Sequence, residues 1–340
     1  MAGEFALIER LLGQPLEPGL PSTAAPDAPI ENGVLLGPGD DCALVVPPTP
    51  GEAWAISTDM LVEGTHFLAT DDPASLGWKT LAVNLSDLAA MGARPRFATL
   101  GMAIPPTDND TGWIDRFFVG FKECAERFSV QLIGGDTTRG PRNFCVTILG
   151  TVHPAQALRR SGAQPGDDLW ISGTPGMAAL GLQHKLQRLK LPDALQASAS
   201  RALHRPQPRV ALGQALAEQS LAHSCLDVSD GILQDLGHIT AASGLSATIM
   251  AAALPGSPIG IMDAIWQDCL LGGGDDYELL FTAPPSARPA LQTLSHQLDV
   301  PLHRIGCMQA HDKAGTIQLI DEYQHPMDLA SIRSGFDHFA

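Results

Sequence analysis

The sequence predicts a mixed α/β or α+β protein of two domains, and three observations carry that reading. The chain has 340 residues, which at roughly 150 residues per domain makes two. Apolar residues form 44% of it, enough for a sizeable core and too many for wholesale disorder. Strand-like and helix-like periodicities alternate in both halves, as they do when helices pack on sheets.

Taken in order, residues Glu4 to Leu12 place Phe5, Ile8, Leu11 and Leu12 on one helical face. A proline-rich stretch from Gln14 to Asn32 has no periodicity and reads as a loop. Trp54 to Ser57 predicts a short strand ending at Thr58-Asp59. Ser75 to Met91 is rich in Ala and Leu and predicts a helix stopped by Gly92. Phe97 to Ile104 predicts a strand. After a cap at Thr107 or Asp108, the spacing of Trp113, Phe117, Phe121, Ala125 and Phe128 predicts a helix. Strands are expected at Val130 to Ile133 and Phe144 to Val152.

The pattern recurs after Pro154, and the boundary is placed there: residues 1–152 form one domain and 153–340 a second. In the second half, strands are expected at Asp168 to Ser172, Cys225 to Val228, Tyr277 to Thr282 and Leu302 to Met308. Helices are expected at Met177 to Leu189, Arg209 to Ala222, Gly231 to Ser243 and Arg288 to Leu298.

Charge and cysteine usage exclude several functions. Lys and Arg number 21 against 37 Asp and Glu, a formal charge of −16. Such a surplus of acid opposes binding to phosphate backbones, so no nucleic-acid partner is expected. No run approaches ~18 apolar residues, so no membrane span is expected. The N-terminus carries acid where a signal peptide needs base. Six cysteines lie at least 20 residues apart, with no CxxC pair. The expectation is a cytoplasmic protein with free thiols.

Phosphate chemistry is the first hypothesis to test, and the usual loops are missing: neither G-x-x-x-x-G-K-[ST] nor G-x-G-x-x-G occurs. Only five lysines are present, and none follows glycine. Carboxylates instead stand beside glycine near the ends of apolar strands: Gly39-Asp40-Asp41, Ser57-Thr58-Asp59, Gly134-Gly135-Asp136, Asp227-Val228-Ser229-Asp230-Gly231 and Gly273-Gly274-Asp275-Asp276. Asp87 adds another inside the Ala/Leu helix. Taken singly, each cluster also reads as an ordinary turn, and Asp87 as a residue on a wet helix face. Together they predict hard oxygen ligands for a divalent cation that bridges to phosphate.

Eight ordered segments resemble the thiamine-monophosphate kinase family. They are Gly-Pro-Gly-Asp-Asp-Cys-Ala-Leu (37–44), Ser-Thr-Asp-Met-Leu-Val-Glu-Gly-Thr-His-Phe (57–67), Asn-Leu-Ser-Asp-Leu-Ala-Ala-Met-Gly-Ala-Arg-Pro (84–95) and Gly-Gly-Asp-Thr-Thr-Arg-Gly-Pro (134–141). Arg-Ser-Gly-Ala-Gln-Pro-Gly-Asp (160–167), Leu-Asp-Val-Ser-Asp-Gly (226–231), Gly-Gly-Gly-Asp-Asp-Tyr-Glu-Leu (272–279) and Gly-Phe-Asp-His-Phe (335–339) complete the set.

The resemblance implies a fold shared with aminoimidazole ribonucleotide synthetase. Its N-terminal domains pair into a β-barrel across a homodimer, and an α/β C-terminal domain follows. It implies that ATP and thiamine monophosphate give ADP and thiamine diphosphate, with several Mg²⁺ ions. It assigns Asp41, Ser57, Thr58, Asp59, Asp87, Asp136, Asp227 and Asp230 to metal, and Gly135, Asp136, Arg160 and Ser229 to ATP. His66, Glu278 and Phe336 are assigned to the acceptor. No general base is assigned, because a phosphate monoester with a second pKa of about 6 is already mostly ionised near neutrality.

The sequence departs from the family pattern at three places: a longer, proline-rich segment 15–32, Asp275 where Glu is expected, and Phe336 where Tyr or Trp is common. The competing readings are a synthetase of the same fold, such as aminoimidazole ribonucleotide or selenophosphate synthetase, or a non-catalytic nucleotide sensor. A synthetase is expected to carry lysine near Gly64-Thr65, where this chain has His66.

Overall fold

The computed structural model describes residues 34–36, 43–45, 50–110, 112–310, 315–329, 332 and 335. The expected helix at 4–12, the loop at 14–32, Asp41 and Phe336 lie outside the described residues.

Among the described residues, two six-stranded sheets organise the chain. The first holds β1 (Val34–Leu36), β2 (Ala43–Val45), β3 (Ala53–Val62), β4 (Arg94–Ile104), β5 (Gln131–Arg139) and β6 (Asn143–Val152), in the order β1-β2-β3-β6-β4-β5. It is antiparallel except where β4 meets β5. The second holds β7 (Asp168–Ser172), β8 (Ser224–Val228), β9 (Ser246–Met250), β10 (Glu278–Ala283), β11 (Leu302–Gln309) and β12 (Ile317–Ile320), in the order β12-β9-β11-β7-β10-β8.

Helix α1 (Pro73–Ala90) sits between the sheets and touches β3, β6 and β4 on one side and β8 and β10 on the other. Its start is set by Asp72, whose side chain accepts from the Ser75 N–H, and by Pro73 in the first turn. Its end is set by Gly92 in the left-handed conformation, as the sequence predicts. Between Leu76 and Ala90 every residue is buried except Asp87. The helix therefore has no wet face, and Asp87 owes its exposure to a cleft.

Short α2 (Pro106–Asp110) leads into α3 (Trp113–Arg127), which packs along α1. The approach is close enough that a Cβ at Gly77 would overlap the Phe117 carbonyl oxygen, and one at Gly120 that of Ala74. The predicted apolar stripe is real: Trp113, Phe117 and Phe121 are buried, and the Phe117 ring stacks on Phe144 of β6 at 4.4 Å.

The second half adds α4 (Met177–Lys185), α5 (Asp193–His204), α6 (Val210–Glu218), α7 (Ile232–Ser243), α8 (Asp263–Gly272) and α9 (Arg288–Leu298). Its sheet is covered on both faces, and period-2 alternation divides the side chains between two cores. Trp170, Cys225, Leu279 and Phe281 join α1 and the first half. Leu169, Ile171, Leu226, Val228 and Leu280 face α7 and α8.

Two strands run past their expected ends. β3 continues through Ser57-Thr58-Asp59 because β6 pairs with it along its whole length, to Val62. β5 continues through Gly134-Gly135-Asp136 because β4 pairs with that segment. α4 and α6 are shorter than expected, and α5, β9, α8 and β12 were not anticipated. Of the six cysteines, Cys124, Cys145, Cys225, Cys269 and Cys307 form no disulfide among the described residues, and Cys42 is outside them.

Candidate active site

A cleft of about 490 Å³ lies where α1, the end of β3 and the C-terminal end of β8 meet. Local periodicity decides which side chains reach it. Along β3, Ala53, Ala55 and Leu61 are buried on the helix side, so Ser57 and Asp59 point the same way. α1 meets them there. The Ser57 hydroxyl donates to Asp87 Oδ2 at 2.5 Å, and the Asp59 N–H donates to Asn84 Oδ1 at 3.1 Å. Asn84 and Asp87 are three residues apart on one helix face, so α1 grips β3 at two points.

On β8, Asp227 shares the face of Cys225, toward α1. Ser229 and Asp230 follow in the loop before α7, and all three line the cleft. Asp235 of α7 reaches back so that its Oδ2 accepts from the N–H groups of Asp230 (3.1 Å) and Gly231 (3.0 Å). Gln234 Nε2 donates to Asp230 Oδ2 at 3.0 Å.

The opposite wall is the loop 272–277. Asp275 and Tyr277 both hold positive φ, +68° and +52°. The N–H of Asp275 donates to the Ser229 carbonyl and that of Tyr277 to the Val228 carbonyl, each at 2.8 Å. This wall is thereby tied to the acidic loop.

Of the expected site residues, Ser57, Asp59, Asp87, Asp227, Asp230, Arg160, Ser229 and His66 come together around this cleft. Thr58 borders it, but its hydroxyl is turned to the opposite face of the sheet, 2.8 Å from Thr147 Oγ1.

Gly135 and Asp136 are not brought there. They lie on β5, the exposed outer strand, three strands from β3, which is roughly 14 Å at about 4.8 Å per strand. Within one chain Asp136 therefore shares no ion with Asp59, and it stands apart from the other expected metal ligands.

Glu278 is also elsewhere. Alternation along β10 puts it with Val228 and Leu280, away from Asp227. Its carboxylate accepts from Arg209 Nε (2.6 Å) and Nη2 (2.5 Å) and from the Ser172 hydroxyl (2.6 Å). In that motif the acid facing the cleft is Asp275. Sequence reasoning counted Asp275 among the glycine-flanked carboxylates and as a departure from the family pattern, and gave it no acceptor role. It also missed Asn84, whose signal was helical spacing from Asp87, and Lys79, Asp235 and Tyr277, which carried none. Gly335 lines the cleft; Phe336, next in sequence, is outside the described residues.

The field in the cleft is strongly negative. Burial pushes the Tyr277 hydroxyl well above its ordinary range, and the charges of Asp275, Asp59 and Asp227 push it further. Burial, with the Asp230 and Asp227 charges behind it, drives the Asp235 carboxyl well above the usual carboxylate range. The facing donors are carboxylate and hydroxyl oxygens, which suit a hard cation such as Mg²⁺. Among the described residues no three His, Cys, Asp or Glu are gathered closely enough to hold a metal ion alone. The donor set therefore fits a cation that keeps water and phosphate oxygens in its shell, as Mg²⁺ does.

Two family models and several known proteins match the chain. The family model described as AIR synthase related protein, N-terminal domain, matches residues 39–152. The corresponding C-terminal domain model matches residues 164–317. The thiamine-monophosphate kinase of Escherichia coli O157:H7 is 45% identical over 311 residues, covering 90% of this chain and 93% of the relative. That of Salmonella typhimurium is 41% identical over 342 residues, covering 99% of this chain and 98% of the relative. The crystal structure of thiamine-monophosphate kinase from Stenotrophomonas maltophilia K279a superposes with a TM-score of 0.75 at 43% identity, covering 93% of this chain and 96% of that one. A structure of AaThiL complexed with AMPPCP and TMP superposes with a TM-score of 0.78 at 25% identity, covering 99% and 97%. Identity at this level over nine-tenths or more of the sequence leaves one conclusion: the chain belongs to the thiamine-monophosphate kinase family.

Proposed function

We propose that the chain transfers the terminal phosphoryl group of ATP directly onto the phosphate of thiamine monophosphate, giving ADP and thiamine diphosphate. The observation that carries this is the convergence of Asp59 and Asp87 from the first half with Asp227 and Asp230 from the second around one cleft. The relatives' activity and the AMPPCP and TMP bound in AaThiL support the choice of substrates.

The obstacle to such a transfer is repulsion between two anions. Bound Mg²⁺ supplies the charge that offsets it and aligns an in-line attack. Asp59, Asp87, Asp227, Asp230 and the Ser57 hydroxyl are the groups that would hold several such ions, with phosphate oxygens completing the shells. The chain's remaining tasks are binding and orientation. Arg160 offers a planar fork to phosphate oxygens, and Ser229 lines the same cleft. His66 Nδ1 accepts from the Val62 N–H at 3.0 Å, which places the proton of the neutral ring on Nε2 and makes that nitrogen a donor toward the acceptor. Asp275 replaces Glu278 as the acceptor-side acid. Asp41 and Phe336 keep the metal and acceptor roles that the resemblance gives them.

We assign residues 1–152 to nucleotide, metal and subunit contacts and 153–340 to the α/β half. All nine residues of β5 are exposed, Leu132 and Ile133 among them, and a bare edge strand invites pairing. This supports a homodimer formed across the first sheet, with Gly135 and Asp136 at or near the contact. Among the described residues no helix is long and apolar enough to cross a membrane; with the free thiols, this supports the cytoplasm as the working compartment.

The test is ADP release from ATP in the presence of Mg²⁺ and thiamine monophosphate, with the product identified by mass. Thiamine diphosphate is the expected product. ADP release only with a synthetase substrate, or tight ATP binding without turnover, would refute the proposal.

A further inference from the structure

Lys79 is one of the chain's five lysines, and it is unusually placed. It lies on α1, 3% exposed, among Leu76, Trp78 and Leu81. A buried ammonium is retained only with a partner. Its Nζ is 2.9 Å from Asp275 Oδ1, so the partner comes from the other half of the chain.

The loop that carries Asp275 does not need Lys79 to hold its shape. Its backbone is anchored by the Ser229 and Val228 carbonyls. Asp276 next to it accepts from the Gly176 N–H at 2.7 Å. A Cβ at Gly274 would overlap the Ser229 carbonyl oxygen. What Lys79 does settle is the side chain of Asp275. Tyr277 donates its hydroxyl to the same Oδ1 at 3.1 Å. An ion pair from α1 and a hydrogen bond from Tyr277 thus meet the carboxylate at one oxygen. Among the described residues no hydrogen bond reaches the second oxygen, Oδ2.

Asp275 also stands at a junction. It lines the main cleft and a side recess of about 70 Å³, and it shares both with Thr65, His66 and Leu182. Lys79 lines only the recess, behind Asp275.

We propose that Lys79 is a positioning residue for the acceptor: it orients Asp275 from behind so that Oδ2 is presented to an N–H group of the acceptor's heteroaromatic end. This rests on the kinase reading above and deepens it. A pair that served only to join the halves would affect the fold and both substrates alike. A pair that presents one carboxylate oxygen affects the acceptor alone.

The experiment compares Lys79→Met, Lys79→Arg, Asp275→Asn and the double variant Lys79→Met/Asp275→Asn with wild type. The readouts are KM for thiamine monophosphate, KM for ATP, and Tm. Wild-type turnover is measured first, and its absence overturns the kinase reading together with the proposal. Given wild-type turnover, Lys79→Met should raise the acceptor KM about tenfold, the scale of one oriented hydrogen bond, with KM for ATP and Tm close to wild type. Lys79→Arg should recover part of the loss. The double variant should be no worse than the poorer single one, because Lys79 acts through Asp275. An unshifted acceptor KM, equal shifts in both KM values, or multiplying effects in the double variant would overturn the proposal. Should Lys79→Met not fold, Lys79→Arg and Asp275→Asn carry the test alone: an unshifted acceptor KM in Asp275→Asn overturns it.

Discussion

Replacing Asp87 by Asn isolates the electrostatic claim from the structural one. Asp87 is the one residue between Leu76 and Ala90 that is not buried, and its Oδ2 accepts from the Ser57 hydroxyl at 2.5 Å. Asparagine keeps the size and a carbonyl oxygen able to accept that hydroxyl, and it removes one negative charge. Converting a charge-assisted hydrogen bond to a neutral one costs about 1 kcal/mol, and relief of repulsion from the neighbouring acids offsets part of it. At about 2–4 °C per kcal/mol for a protein of this size class, Tm should move by only a few degrees. Turnover should fall far more, by roughly 10²-fold or beyond, the scale of losing one preorganised electrostatic stabiliser. The assay is ADP release with thiamine monophosphate at saturating Mg²⁺, alongside a calorimetric melt. Turnover within about threefold of wild type would refute the ligand role. So would a collapse of Tm that accounts for the lost activity by loss of the fold.

Three further outcomes are expected. Arg209→Met strands the Glu278 carboxylate in the interior, where its side chain is 7% exposed; denaturant unfolding should show a loss of about 3–5 kcal/mol, and an unchanged midpoint would contradict the pairing. Gly77→Ala drives a methyl into the Phe117 carbonyl and should cost about 1–3 kcal/mol by separating α1 from α3; a more stable variant would show that the contact relaxes freely. His204 is pushed down to about 4, first by burial and then by the charges of Lys185 and Lys79, against Asp275 and Asp72. The unfolded chain binds a proton there from about pH 6.5 downward while the folded one refuses it until about pH 4, so stability falls as pH drops through that window. His204→Gln should show a shallower decline of Tm between pH 7 and 5, and an identical slope would refute the assignment.

How much of this the sequence disclosed depended on where the information was local. Helix α1 was legible because Gly92 and the Ala/Leu run announce it, and α3 because its aromatic stripe repeats at helical spacing. The acids of the cleft were legible because Asp59, Asp227 and Asp230 sit in short motifs on or just after apolar strands and Asp87 interrupts the Ala/Leu helix. The face each side chain takes was not, since it depends on pairing partners far along the chain. Glu278 was expected to meet the acceptor, yet alternation along β10 sends it to Arg209. Thr58 was expected to join Ser57 and Asp59, yet being one residue off turns its hydroxyl to Thr147. Asp136 resembles the other acids locally, but strand order puts it at the outer edge of the sheet. Lys79 gave no signal, because a lysine in an apolar helix declares its purpose only when its partner, nearly two hundred positions later, is seen beside it.

The claim beneath the whole account is that divalent cations stand between nucleotide and acceptor in the Asp59–Asp87–Asp227–Asp230 cleft. The most direct measurement is thiamine diphosphate formation from ATP and thiamine monophosphate by the wild-type chain stripped with a chelator and then titrated with Mg²⁺. The account predicts no product before metal is added and turnover that rises and saturates with the titration. Undiminished product formation in excess chelator would contradict it.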